Sequence, residues 1–233
     1  MRFLKFLYFS SIFILFSACA GGGGCVNYKS MLYEYDITTK SYRLIKSFGV
    51  STSEPYYSYY RNNNNRIILV QNDKIYLINT STKTEEIINL DSIMIRNSFF
   101  SVSPIGNKIV FAAFSTQHTN GDGLYILDLD SRKIEVLKHS NESKLYESYS
   151  YPHFSNSGNE IVYTTFNNDV TGLEGYYSNS YPSRIFVLDL LSRVTKKIYS
   201  NEQYELVQYA MFDKTDENLI ILEFPDKLLN VSR

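Results

Sequence analysis

Apolar and polar positions follow one pattern repeatedly along this chain. An apolar or aromatic anchor is followed by a polar turn and, seven positions later, by an aliphatic residue: Tyr60 to Ile67, Val102 to Ile109, Phe154 to Ile161 and Phe212 to Leu219. Apolar runs on either side of so short a polar stretch read as two strands joined by a tight hairpin. Gly106, Gly158 and the asparagines of these turns suit sites that need left-handed backbone angles. A second run follows, Ile75-Tyr76-Leu77-Ile78-Asn79, Leu124-Tyr125-Ile126-Leu127-Asp128 and Ile185-Phe186-Val187-Leu188-Asp189. Each leads through a turn into a further strand, at 86–88, 134–137 and 197–199. Asp128 and Asp189 begin turns, where a short carboxylate accepts backbone hydrogen bonds. One repeat is therefore four antiparallel strands.

Anchors spaced by 42, 52 and 58 residues suit the blades of a propeller with insertions. Composition agrees: 21 tyrosines and 15 phenylalanines in 233 residues, with many β-branched residues, favour strands. The fold class is all-β, a β-propeller of about four four-stranded antiparallel blades occupying residues 28–233. Residues 31–45 read as a third and fourth strand, whereas 212–223 read as a first and second. Two arrangements follow. Pairing of these segments would close a ring and hide open sheet edges; alternatively the chain is part of a larger propeller, and 227–233 begin a third strand of the last blade.

The run Ser103-Pro104-Ile105-Gly106-Asn107-Lys108-Ile109-Val110-Phe111, followed by Leu124-Tyr125-Ile126-Leu127-Asp128-Leu129, resembles the TolB-like family of propeller repeats. The typical unit of that family has an aromatic residue, Ser-Pro-Asp-Gly-Lys-Lys-Ile-Ala-Phe and then Ile-Tyr-Val-Leu-Asp-Leu. The repeat from Phe154 to Tyr199 matches next best; that from Tyr60 lacks the proline and glycine. The resemblance covers nearly all of 28–224 and implies a fold; it says little about function.

The amino terminus has a different pattern. Arg2 and Lys5 precede a largely apolar run from Phe6 to Phe16, then Ser17-Ala18-Cys19, the order of a secretory leader. The run is shorter than the roughly 20 residues of a membrane-spanning helix. Phe16-Ser17-Ala18-Cys19 resembles the bacterial lipobox, with Phe in place of the preferred Leu. The resemblance implies cleavage after residue 18 and diacylglycerol on the Cys19 thiolate, so 1–18 are leader and 19–27 a lipidated cysteine with a glycine-rich tether. Lipidated Cys19 cannot pair with Cys25. By the family's sorting rule, Ala20 favours the periplasmic side of the outer membrane; the outer leaflet of the cytoplasmic membrane is the alternative.

Loss of Arg2 and Lys5 with the leader leaves 21 basic against 24 acidic residues, a net charge of about −3. That balance argues against nucleic acid as a partner. Two connections are enlarged, 112–123 and 164–184, and both belong to one face of a propeller. The second contains Tyr176, Tyr177 and Tyr181 among Gly, Ser and Asn, a composition suited to protein contact because tyrosine loses little entropy for its contact area. No nucleophile elbow, phosphate loop or paired-cysteine zinc site occurs. His118 and Asp122 share a loop without calcium-loop spacing, and His153 at a strand entrance reads as structural. No cofactor, metal or catalytic residue is assigned. The sequence thus points to a non-enzymatic, membrane-tethered propeller with an envelope protein or peptide as partner. The alternatives are the propeller part of a peptidase- or lyase-like enzyme, and a sugar- or small-ligand-binding propeller.

Overall fold

The computed structural model describes residues 13–18, 26–36, 39–51, 58–61, 66–71, 74–115, 122–140, 147–167, 183–201, 207–223 and 227–232. Every regular element among them is a β-strand, and every pairing is antiparallel. The chain divides into two compact units, Met1–Tyr56 and Tyr57–Arg233.

The first unit holds one sheet, β1 (Phe13–Ala18), β2 (Val26–Asp36) and β3 (Ser41–Ser51), in that order. The β2–β3 hairpin closes with Asp36 opposite Ser41, and Lys40 in its turn has φ 52°.

The second unit begins with a four-stranded sheet, β4 (Ser58–Arg61), β5 (Arg66–Gln71), β6 (Lys74–Asn79) and β7 (Thr84–Asn89). Two more follow: β8 (Ile93–Val102), β9 (Lys108–Ser115), β10 (Asp122–Asp128) and β11 (Ile134–His139), then β12 (Glu147–Phe154), β13 (Glu160–Asn167), β14 (Ser183–Asp189) and β15 (Thr195–Asn201). The last sheet has three strands, β16 (Val207–Phe212), β17 (Asn218–Glu223) and β18 (Lys227–Ser232). Each four-stranded sheet is the four-strand unit read from the sequence, meandering from strand to neighbouring strand. The strand beside β17 is β18, so the third strand of that sheet is Lys227–Ser232 and not a strand from residues 31–45. The pairing follows from chain economy: a connection of residues 224–226 closes a far smaller loop than one reaching back to residue 31.

The core lies between successive sheets. Ile68 and Val70 of β5 and Ile75 and Leu77 of β6 pack with Ile109 and Phe111 of β9 and Tyr125 and Leu127 of β10. The alternate residues of the same two strands, Val110, Ala112, Leu124 and Ile126, face the other way and pack with Tyr149, Phe154, Ile161 and Tyr163. Val162, Ile185 and Val187 then meet Ala210, Phe212, Leu219 and Ile221. Successive side chains of a strand point to opposite faces, and here both faces are covered. Ile109 to Ala113 is therefore apolar without alternation, as a doubly buried strand requires.

The turns carry the specificity. Gly106 and Gly158 both have φ 75°, as their sequence positions require, and a Cβ on Gly158 would lie 3.2 Å from Pro104 of the preceding sheet. The third such site holds Asp216 at φ 62°. Its carboxylate accepts hydrogen bonds from the backbone of Asn156 and Ser157, at 2.8 Å each, and from Asn156 Nδ2 at 2.7 Å. A left-handed aspartate is strained, and these charge-assisted bonds to the neighbouring sheet offset the strain. Asp128 accepts from the backbone of Asp130 and Ser131, and Asp189 from that of Leu191 and Ser192.

Candidate functional site

Strands within each four-stranded sheet alternate in direction, so the second-to-third connections leave one end and the two hairpin turns leave the other. Contacts between sheets put like ends together in the second unit. At the loop end, Ser148 Oγ donates to Asp122 Oδ2 at 2.9 Å, and Tyr149 OH donates to the His139 carbonyl at 3.0 Å. At the turn end, Asn156 meets Asp216.

The loop rim is the candidate site. Its connections differ sharply in length: residues 72–73 between β5 and β6, 116–121 between β9 and β10, and 168–182 between β13 and β14. The longer two are shorter than their sequence-read bounds of 112–123 and 164–184, because the flanking residues extend the strands. Ala112, Ala113, Thr164 and Thr165 are buried. Gly123 fits here because a Cβ would come within 2.9 Å of both the Lys138 carbonyl and the Tyr125 ring. Backbone bonds hold the base of the loop, with Ser140 N and Oγ donating to the Asp122 carbonyl at 3.0 and 3.1 Å. Tyr176, Tyr177, Tyr181 and His118 lie outside the described residues, as do Cys19 and Cys25.

His153 lies away from this rim, against the next sheet. Its Nδ1 donates to the Phe154 carbonyl at 2.7 Å, which places the proton on Nδ1, and its ring meets Tyr209 edge-on at 6.3 Å. Tyr151 meets the same tyrosine at 6.1 Å. Burial lowers the pKa of His153 below its ordinary 6.5, and the hydrogen bond to Phe154 only partly counters it. The folded chain thus keeps the ring neutral where the unfolded chain binds a proton. Stability is full above pH 6.5 and declines as pH falls from 6.5 toward the depressed folded value. Thermal unfolding should therefore occur at lower temperature at pH 5.5 than at pH 7.5, with a smaller difference in His153→Gln. An equal difference in both proteins would assign the pH dependence elsewhere.

The turn rim carries charge. Arg132 and Arg193 occupy matching left-handed positions, each at φ 62°, and each reaches the outer strand of the preceding sheet. Arg132 pairs with Glu86 of β7, and Arg193 with Glu135 of β11. Both pairs are exposed and so add little stability individually; each joins a turn to the sheet before it. Sequence reading missed this series; the signal was an Arg four residues after each turn aspartate and a Glu seven residues after the preceding turn's first residue. Asp213 in the β16–β17 hairpin is held at about 2, below the usual 3.8, chiefly by hydrogen bonds from Asn218 and Thr215. Among the described residues no three His, Cys, Asp or Glu side chains converge as metal ligands. None of the described elements is a helix long and apolar enough to cross a membrane.

No protein-family model matches the chain, and no curated protein does. Solved structures do. A peptidase of Mycobacterium tuberculosis that hydrolyses puromycin is 10% identical with a TM-score of 0.61, over 94% of this chain and 37% of that one. A protein assigned as TolB from Agrobacterium tumefaciens is 16% identical with a TM-score of 0.51, over 76% of this chain and 62% of that one. An auxiliary nutrient-binding protein of Bacteroides thetaiotaomicron is 12% identical with a TM-score of 0.50, over 76% and 37%. The chain thus spans less than two thirds of each of these proteins. Identity this low speaks for fold alone, and the fold these structures share with the chain is a β-propeller.

Proposed function

We propose that the protein is a lipid-anchored, non-enzymatic propeller of the bacterial envelope that captures a protein or peptide partner through its loop rim. The observation that carries the reading is the concentration of insertion length on that rim, in 116–121 and above all in 168–182, on strands buried on both faces. Rigid strands presenting long polar and aromatic loops are a common basis for recognition. Tyr176, Tyr177 and Tyr181 supply the contact surface, and the lipobox ending at Cys19 supplies the anchor. Cleavage before Cys19 removes β1 and opens the β2 edge that it covers between Val26 and Met31.

Deletion of residues 171–182 tests the rim. Because the segment lies between strand ends and contributes no described core residue, the shortened protein should keep its strand circular dichroism and unfold within about 1 kcal/mol of the parent. Crosslinking in intact cells should lose the partner bands seen with the parent. Unchanged bands would remove the rim from the reading. A second reading rests on the likeness to the peptidase: the chain acts as the propeller part of a hydrolase whose catalytic groups are supplied by another domain. Peptide hydrolysis by a complex isolated with this chain would favour it.

A further inference from the structure

The interface between the second and third four-stranded sheets changes character at its loop end. Over most of its depth it is apolar, with Tyr163 of β13 and Phe186 of β14 packed against Val110, Ala112 and Leu124. One step toward the loop rim, the same face of the third sheet carries a polar row. Strand pairing aligns Tyr149 of β12 with Thr165 of β13, Thr165 with Arg184 of β14, and Arg184 with Ser200 of β15. Residues paired in this way share a face. Thr165 is 2% exposed, and the row meets the second sheet where Tyr149 OH donates to the His139 carbonyl.

Two members of this row have unmet hydrogen-bonding capacity. Among the described residues, Arg184 Nε and Ser200 Oγ are buried and make no hydrogen bond, and no carboxylate pairs with Arg184. A desolvated guanidinium without an anion is costly, and a buried polar group left unmet in a folded protein calls for a reason. Packing does not supply one. The next residue inward on the same face of β14 is Phe186, which stacks on Tyr163 at 5.6 Å and 19°, and an apolar side chain at 184 would continue that surface. Arg184 is instead the second residue of β14, directly after the longest connection of the loop rim.

We propose that Arg184 and Ser200 bind the carboxylate of a ligand that enters from the loop end of this interface. Nε and one Nη of a guanidinium lie in a plane and make two parallel bonds to a carboxylate. The Ser200 hydroxyl, directly across the strand pair, donates a third. Asp122 accepts from Ser148 at the loop end of the facing sheet, and its charge disfavours a dianion, so the site takes a carboxylate in preference to a phosphate. The stacked Tyr163 and Phe186 close the floor with apolar surface and suit a ligand with an apolar body beside the carboxylate. A free organic acid and the C-terminus of a peptide both present this chemistry. The site lies on the strands and does not depend on protein capture by Tyr176, Tyr177 and Tyr181.

The probes are N-acetylalanine, its uncharged amide, N-acetylated tetra-alanine with a free C-terminus, and inorganic phosphate, each at constant ionic strength. With the full chain carrying ¹⁵N-arginine, N-acetylalanine should move the Arg184 Nε–H resonance saturably, and the amide should leave it in place. Phosphate should bind about tenfold more weakly or worse, and Ser200→Ala should weaken N-acetylalanine about threefold or more. Tighter binding of tetra-alanine than of N-acetylalanine would identify a peptide terminus as the source of the carboxylate, and the reverse a free acid; either supports the site. Arg184→Met identifies the resonance by its loss and separates binding from structure. It removes a desolvated charge and keeps an apolar stem, so it should unfold no earlier than the parent, while N-acetylalanine raises the unfolding temperature of the parent only. No partner protein is needed, so this response and the crosslinked bands lost on removal of 171–182 fail separately. A resonance indifferent to carboxylate, equal response to the amide, preference for phosphate, or earlier unfolding of Arg184→Met, which would make Arg184 structural, would each overturn the proposal.

Discussion

Replacement of Cys19 by serine should abolish incorporation of labelled fatty acid in a bacterial host, leave the leader uncleaved and move any processed protein from the membrane pellet to the supernatant. The chemistry makes the effect nearly all-or-none. The thiolate is the nucleophile that accepts the lipid, and a serine hydroxyl is not ionised at neutral pH. One acyl chain holds a protein to a bilayer with a constant of only about 10⁴ M⁻¹, and stable anchoring takes two membrane signals. Diacylglycerol brings two chains at once, so its loss should lower membrane partitioning by at least about four orders of magnitude. Cys25→Ser is the control and should keep full label, because Gly22, Gly23 and Gly24 put no apolar residue ahead of it. Equal label in wild type and Cys19→Ser would remove the anchor from the reading.

The blades were legible in the sequence because each rests on local chemistry repeated along the chain. The anchors at Val102 and Phe154 begin hairpins whose turns carry Gly106 and Gly158 at φ 75°, a backbone angle that only glycine adopts without strain. Asp128 and Asp189 accept the backbone hydrogen bonds that turn aspartates are suited to. What escaped was the choice between equally suitable partners. Residues 31–45 and 227–232 both have the pattern of a third strand, and hydrophobic alternation does not say which joins β17; proximity along the chain does. Asp216 escaped for a related reason. It occupies a glycine site, and the bonds from Asn156 and Ser157 that compensate come from a hairpin some 60 residues earlier. The Arg132–Glu86 and Arg193–Glu135 pairs likewise join different sheets, so their positions gain meaning only when the repeats are stacked. The proposed roles of Cys19 and of the three loop tyrosines rest on sequence chemistry alone.

Stacking also explains where the second large effect should fall. Phe111→Ala should destabilise the folded chain by about 3–5 kcal/mol, a large part of the roughly 5–15 kcal/mol that holds a typical domain. Phe111 is fully buried, stacks on Tyr125 at 5.9 Å and 12°, and belongs to the core that joins the first and second four-stranded sheets. The cavity cannot fill easily, because its neighbours on β9, Val110 and Ala112, already face the other core. In an array where each sheet rests on its neighbours, weakening one interface lowers the stability of both sheets it joins. Urea unfolding followed by far-ultraviolet circular dichroism should show an earlier midpoint for Phe111→Ala, or a separate early phase. Leu222→Ala, at a position 38% exposed, should lose no more than about 1 kcal/mol. Similar losses for the two would mean that the sheets do not share a packed interface at Phe111. A separate early phase would place the weakest joint of the repeat array between β5–β6 and β9–β10, leaving the later sheets that carry the long loop still folded.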